Sequence, residues 1–170
     1  MTAALIIVDV QNDFCSGGRL AVPDAGAVIP VINDLKRGFR HVFLTQEWHP
    51  YGHISFASSH PGYEPFSRMT LPSGEQVLWP DLRVENTPGA EFHSALEIPW
   101  GSTVVRKGTR RDIDSYSAFL ENDRKTPVAL DARTLGYDVT VVEAACRGID
   151  IDGFLEAAWK QMADAGVRRA

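Results

Sequence analysis

The chain has 170 residues, of which 44% are hydrophobic and 23% are charged, and its formal net charge is −5. This length is enough for one domain with a hydrophobic core, and we expect a single domain over residues 1–170. The negative charge argues against nucleic-acid binding, and no apolar run approaches the length of a membrane span. Two cysteines and an N-terminus without a basic leader predict a cytoplasmic protein with reduced thiols.

The first part of the chain alternates strand and helix patterns. Residues 4–8 form a continuous apolar run, which is typical of a strand covered on both faces. A helix is predicted to begin at a cap formed by Asp24, because apolar residues recur at helical spacing after it and Gly38 ends the pattern. A second strand is predicted at 41–45.

A long segment at about 46–102 follows, and it shows little periodicity. It is rich in proline, glycine, histidine and serine. A segment of this length inside a compact domain is usually functional or disordered. Several large aromatic residues favour an ordered, site-forming loop, among them Trp48, Phe56, Phe66 and Trp79.

The second part of the chain continues the alternation. The pattern predicts a strand at 103–106, a helix at 126–136, a strand at 138–142 and an amphipathic helix at 152–165, with a short last strand from Val167. Strands that alternate with helices predict an α/β fold with a mostly parallel sheet.

Two charged residues lie at the ends of predicted strands. Asp9 follows the first strand and Lys107 follows the third. A carboxylate at a buried strand end is a candidate base or metal ligand, and a lysine beside it could lower the pKa of a neighbouring thiol. The alternatives are a turn-forming aspartate and a solvated lysine, and the pattern leaves both open.

Glu47 and His49 lie two residues apart just after the second strand, where parallel sheets usually bind their ligands. Both are residue types that bind metals, and three more histidines of the same loop could add ligands: His53, His60 and His93. Two ligands are fewer than an ordinary metal site has. The alternative is therefore a polar loop that is held by hydrogen bonds.

Cys15 and Cys146 are the two cysteines of the sequence, and each is a candidate nucleophile. Cys15 lies in a glycine-rich turn, and Cys146 follows a predicted strand. A lone cysteine is more often buried and inert. The sequence contains no G-x-S-x-G elbow, P-loop or dinucleotide fingerprint.

The chain resembles the bacterial nicotinamidases, which are pyrazinamidase-like members of the isochorismatase-like cysteine hydrolase superfamily. The resemblance rests on five segments in the family's order: "ALIIVDVQNDFCSGGRLAVP", "LTQEWHPYGHISFASSHPG", "WPDLRVENTPGAEFH", "RKGTRRDIDSYSAF" and "LDARTLGYDVTVVEAACRGID". It covers nearly the whole chain. It implies a three-layer α/β fold in which a sheet of six parallel strands has helices on both faces.

The resemblance implies an amide hydrolase that converts nicotinamide and water to nicotinate and ammonia in NAD salvage. In the family a cysteine thiolate attacks the carboxamide carbon, an aspartate transfers the proton and a lysine supports the thiolate. Asp9 matches the family's aspartate and Lys107 matches its lysine. Three aromatic residues match positions near the substrate pocket: Phe14, Trp79 and Tyr116.

The family also binds a divalent metal of the Zn, Mn or Fe type, which holds the pyridine nitrogen directly or through water. Its ligands are an aspartate and a histidine of one motif and a second histidine in a "WPDHC" segment. Glu47 and His49 match the first motif, with glutamate in place of aspartate. Leu82 replaces the second histidine and cannot bind a metal, so we expect the metal to be weakly bound or absent.

The family's nucleophile lies in a segment that this chain lacks. Here "ENDRKTP" continues directly into "VALDA", where the family has the end of a helix, a strand and the turn that carries the cysteine. The gap corresponds to one central βα unit, on the order of 30 residues. Cys15 and Cys146 match non-catalytic cysteines of the family, so neither is expected to substitute.

We therefore expect a nicotinamidase-type protein with little or no activity. The alternative is a non-catalytic binding or interaction protein, or an internally truncated relative. The expected partner is a small carboxamide such as nicotinamide, with a homo-oligomer possible and no nucleic acid or membrane. Loss of a central strand should bring the 138–142 strand against the first strand, or leave backbone groups unpaired at about 1–3 kcal/mol each.

Overall fold

A computed structural model of the protein describes residues 3–71, 74–114, 136–150 and 153–170. Its main sheet consists of three parallel strands, β1 (Ala4–Val8), β2 (His41–Glu47) and β5 (Thr103–Lys107), with β2 in the middle. Apolar and β-branched residues dominate these strands, as expected for a sheet with a buried face. The predicted α/β fold with a parallel sheet is confirmed.

The first helix, α1 (Val28–Leu35), covers one face of this sheet. Its buried residues Val28, Ile29 and Ile32 join a core that contains Ile7 and Leu44 of the strands. Each such side chain contributes about 1.5–3 kcal/mol when it is fully buried. Short 3₁₀ segments at Ala25–Ala27 and Lys36–Gly38 extend the helical region over the predicted span.

Asp24 does not act as the predicted helix cap. It has a left-handed backbone (φ 55°), and its side chain makes no capping hydrogen bond. Aspartate tolerates the left-handed region better than most residues. The residue therefore turns the chain into the helical segment through its backbone conformation.

The segment at 46–102 contains regular structure that the sequence pattern did not predict. Two short strands, β3 (Arg68–Leu71) and β4 (Gly74–Val77), pair antiparallel. Isolated bridges join His49 to Val84 and Phe56 to Trp79. Five of its described residues are completely buried, namely His53, Phe56, Leu78, Leu82 and Ala90, so this segment packs as an ordered part of the protein.

The C-terminal region forms a separate strand pair. β6 (Thr140–Val141) pairs in parallel with β7 (Arg168–Arg169), and α2 (Phe154–Asp164) connects them. Both strands and the helix lie within the spans that the sequence predicted. Residues 126–135 of the predicted preceding helix lie outside the described residues.

Within the described residues, β6 pairs with β7 and the main sheet ends at β1. The 138–142 strand therefore does not move against the first strand, which was the first of the two expected consequences. Ile6 and Val8 of β1 are 43% and 51% exposed.

Among the residues that the structure describes, no helix has both the length and the apolar character needed to span a membrane.

Candidate active site

The register of the main sheet brings charged residues together at its C-terminal edge. Glu47 pairs with Lys107, and Val8 pairs with Thr45, so Asp9 leaves the sheet beside them. Lys107 Nζ lies 2.8 Å from Asp9 Oδ2 and 2.5 Å from Glu47 Oε1. One buried ammonium group is therefore shared by two carboxylates.

Asp9 is turned toward the site by a left-handed backbone conformation (φ 51°). Its N–H lies 3.2 Å from Thr45 Oγ1, and the Thr45 hydroxyl donates to Asp9 Oδ1 at 2.7 Å. A strained backbone of this kind persists when surrounding contacts fix it, and it is frequent at functional sites. Thr45 and Lys107 together hold both oxygens of the Asp9 carboxylate.

Glu47 is fixed by the side chain of Gln11, which is completely buried. The Gln11 amide donates to the Glu47 carbonyl at 2.8 Å, and the Glu47 N–H donates to the Gln11 carbonyl oxygen at 2.9 Å. These two bonds take the place of backbone hydrogen bonds to β1, whose pairing with β2 ends at Val8 and Thr45. The loop that follows β1 thus fixes the backbone of Glu47 through the side chain of Gln11.

Arg83 is a site residue that the sequence pattern did not identify. Its Nε lies 2.6 Å from Glu47 Oε2, although the two atoms lack the alignment of a hydrogen bond. The guanidinium lies over the ring of Phe14, 4.3 Å from the ring centroid. The available signal was an arginine directly after Leu82 in a segment whose neighbours match the family motif.

The charges of this cluster shift one another's pKa values. Burial raises the pKa of Glu47, but Arg83 and Lys107 outweigh burial and hold it well below its ordinary value. Burial likewise lowers the pKa of Lys107, and the carboxylates of Glu47 and Asp9 more than reverse that effect. Both groups are therefore charged at neutral pH.

A second polar cluster consists of His49, His53 and Asp114, which are all buried. One possible ligand atom from each residue lies within 4.8 Å of the others, so the three could hold a metal ion. The two imidazole rings stack with their centroids 4.2 Å apart. Burial and the neighbouring His49 lower the pKa of His53, which favours the neutral form that binds metals.

Three of the four ring nitrogens of the two histidines already have hydrogen-bond partners. His49 Nδ1 donates to the Gly108 carbonyl at 2.9 Å, and His53 Nε2 donates to the Ile113 carbonyl at 3.0 Å. The remaining His53 nitrogen accepts from the Ser55 N–H at 3.3 Å. A metal on His53 would have to displace one of these bonds.

The predicted pair of metal ligands does not fit a metal ion in this arrangement. His49 Nε2 lies 3.3 Å from Glu47 Oε2, as two ligands of one ion could. However, Glu47 Oε1 faces the Lys107 ammonium and Oε2 faces the Arg83 guanidinium. A cation already stands against each oxygen, and Leu82 is completely buried and offers no donor.

The remaining predicted residues have other surroundings. Phe14 lies under Arg83, whereas Trp79 meets Phe66 edge to face at 6.2 Å. Cys15 is buried and burial raises the pKa of its thiol; Cys146 is exposed, and its pKa is also raised, chiefly by partial desolvation. A raised thiol pKa disfavours the nucleophilic thiolate. Tyr116 lies outside the described residues.

Comparison with known proteins identifies the class of α/β proteins to which this parallel sheet and its aspartate–lysine pair belong. The sequence profile of the isochorismatase domain matches residues 3–124. The chain belongs to the isochorismatase family.

Within the family, the chain is similar to nicotinamidases. It is 43% identical to the nicotinamidase of Acinetobacter baylyi, over 98% of this chain and 91% of that protein. A solved nicotinamidase–pyrazinamidase of Acinetobacter baumanii is 45% identical with a TM-score of 0.93, covering 98% of this chain and 94% of that one. A Pyrococcus horikoshii pyrazinamidase solved in complex with zinc is 30% identical with a TM-score of 0.77, covering 98% and 97%.

The alignment with the A. baylyi protein is longer than this chain. It extends over 194 positions, whereas the chain has 170 residues, so at least 24 aligned positions have no counterpart here. The match to the family profile ends at residue 124.

Proposed function

We propose that this chain is a nicotinamidase-type protein that binds a small carboxamide but hydrolyses it slowly or not at all. The observation that carries the proposal is the Asp9–Lys107 pair, which is in place although the sequence offers no suitable thiol. Cys15 and Cys146 are its two cysteines, and both thiols have raised pKa values.

The absence of the nucleophile segment is supported by the length of the alignment and by the end of the profile match at residue 124. That residue lies inside "ENDRKTP", where we expect the family's βα unit to be missing. Hydrolysis by this route needs a nucleophile about 2.6–3.2 Å from its base. It also needs donors for the oxyanion, each typically worth about 10²–10³ in rate.

The site retains groups that suit a carboxamide. A lysine ammonium has three N–H donors, and two of those of Lys107 face Asp9 and Glu47. The third has no partner among the described residues, and we propose that it donates to a carboxamide oxygen. Asp9 is a hydrogen-bond acceptor fixed by Thr45, and it can accept an N–H of the same amide. Phe14 and, by resemblance, Trp79 and Tyr116 would contact the ring.

We propose that a divalent metal of the Zn, Mn or Fe type binds weakly or not at all. The zinc complex of the Pyrococcus protein supports metal use by relatives. In this chain Leu82 removes the second histidine of the family motif, and the carboxylate of Glu47 is taken by Lys107 and Arg83. No step of the proposed binding requires the metal.

The remaining proposals concern the protein as a whole. We propose a single domain over 1–170 and a cytoplasmic location, which the two unpaired cysteines support. A nicotinamide-like small molecule is the proposed ligand, and a homo-oligomer is compatible with the fold.

The test is ammonia release from nicotinamide by pure protein, with and without Zn²⁺, Mn²⁺ or Fe²⁺, beside Cys15→Ala. We expect no difference between the two proteins and no release above background. Turnover of about 1 s⁻¹ or more, in the ordinary enzyme range, would refute the loss of activity. If Cys15→Ala abolished such turnover, Cys15 would be the nucleophile.

A non-catalytic interaction protein is the second candidate. Exposed apolar side chains of Ile6, Val8 and Phe43 on one face of β1 and β2 favour it. Nicotinamide binding measured by calorimetry separates the two. Binding that is lost in Asp9→Asn supports the carboxamide site, whereas no binding at millimolar ligand supports the interaction protein.

A further inference from the structure

The four charged side chains that contact one another at Glu47 balance in charge without a metal ion. Two carboxylates, Asp9 and Glu47, face two cations, Lys107 and Arg83, and all four side chains are at most 14% exposed. Charges this deeply buried are stable only when they are paired. The four side chains supply two charges of each sign, so a dication would leave an excess of buried positive charge.

The position of Arg83 is fixed from several directions. Its backbone N–H donates to the Asp13 carboxylate, and its carbonyl accepts from the His49 N–H at 3.0 Å. Its guanidinium is sandwiched between the Phe14 ring and Glu47 Oε2. Arg83 is itself 5% exposed, so its charge belongs to the site rather than to the surface.

Leu82 and Arg83 are consecutive residues, and together they determine the chemistry of the part of the site beside Glu47. Leu82 stands where the family motif has a metal-binding histidine, and it is completely buried. The next residue brings a permanent cation to the one carboxylate of the motif. Leu82 removes a ligand, and Arg83 provides one positive charge beside Glu47 where the metal ion would have stood.

We propose that the Arg83 guanidinium takes the place of a divalent metal ion beside Glu47, so that this pocket is a metal-independent version of the family site. The proposal rests on the family assignment, and it does not depend on whether the chain turns over nicotinamide. It explains why a cationic side chain lies beside each carboxylate oxygen of Glu47. It also accounts for a buried arginine in a segment where the family binds a metal.

The test compares zinc content and thermal unfolding of the native chain with Leu82→His, with Leu82→His/Arg83→Ala and with Arg106→Ala. Arg106 is a matched control, because its guanidinium also stacks on an aromatic ring, Trp48 at 3.9 Å, but it contacts Gln46 instead of Glu47. Each protein is stripped with EDTA, loaded with zinc, and passed through a desalting column. Zinc is then measured by mass spectrometry, and unfolding is followed with and without zinc.

We expect the native chain, Arg106→Ala and Leu82→His to retain no stoichiometric zinc and to unfold at the same temperature with or without it. The double variant should retain stoichiometric zinc and be stabilised by it, because it regains a ligand and loses the competing cation. Stoichiometric zinc in the native chain would overturn the proposal. So would a folded double variant that gains none.

The Leu82→His variant keeps the proposal testable if the double variant fails to fold. It restores the histidine but retains Arg83. Stoichiometric zinc in this variant would show that Arg83 does not exclude the metal. No gain in zinc supports the proposal. Neither readout uses ammonia release, so failure here is separate from failure of the proposed carboxamide function.

Discussion

The two sides of the site differ in how they are built. The side with Asp9 and Lys107 lies on the ends of β1 and β5, and the resemblance implies that both residues follow the family pattern. The side with Leu82 and Arg83 lies on a loop, and both residues depart from that pattern. We propose that the strand-borne acid–lysine pair is the part of the site that the resemblance implies, and that the loop-borne part carries a cation where the resemblance implies a metal ligand.

The largest effect is expected from Lys107→Met on the strand-borne side. This change leaves Asp9 and Glu47 without the cation that they share, and breaking a buried pair in this way costs about 3–5 kcal/mol. Urea unfolding measures the loss. Lys160→Met is the control, because Lys160 forms an exposed ion pair with Asp164, which is worth about 0.3–0.5 kcal/mol. Similar losses in the two variants would contradict the account.

A smaller effect is expected from Arg83→Met on the loop-borne side. Glu47 keeps Lys107 in this variant, so the loss should be about 1–3 kcal/mol, the cost of leaving one buried polar atom without its partner. The matched Arg106→Met variant loses a cation–π contact worth about 0.5–1 kcal/mol. An Arg83→Met protein as stable as the native chain would mean that the guanidinium does not stabilise the Glu47 carboxylate.

The smallest expected effect is on the pH dependence of stability, and it distinguishes the contribution of Glu47 from those of the other acidic residues. Its pKa is held well below its ordinary value of 4.5 in the folded chain. Its contribution to stability is therefore present above 4.5 and is lost as the pH falls toward the folded pKa, by about 1.4 kcal/mol per pH unit. Unfolding measured between pH 5 and the acid limit should show a shallower slope in Glu47→Gln. Identical slopes would contradict the assigned ion pairs.

The strand-borne part of the site was predicted well from the sequence. Strands that alternate with helices form a parallel sheet, and its register leaves few possible positions for the residues at the strand ends. The apolar runs at 4–8 and 41–45 gave β1 and β2 to within two residues. The convergence of Asp9 and Lys107 follows from the rule that parallel strand ends share one edge.

The loop-borne part could not be predicted in the same way. The contact of Arg83 with Glu47 and the cluster of His53 with Asp114 depend on loops that are far apart in sequence and are positioned by packing. β3 and β4 were missed because each strand has only four residues, and "GEQV" shows no apolar alternation.

The most direct test of the central claim is the steady-state rate of ammonia release from nicotinamide, measured beside the A. baylyi nicotinamidase under the same conditions. The proposed absence of the nucleophile and of its oxyanion donors predicts a rate lower than that of the relative by about 10³-fold or more. A rate within about tenfold of the relative, a difference of only 1.4 kcal/mol in barrier, would contradict the account.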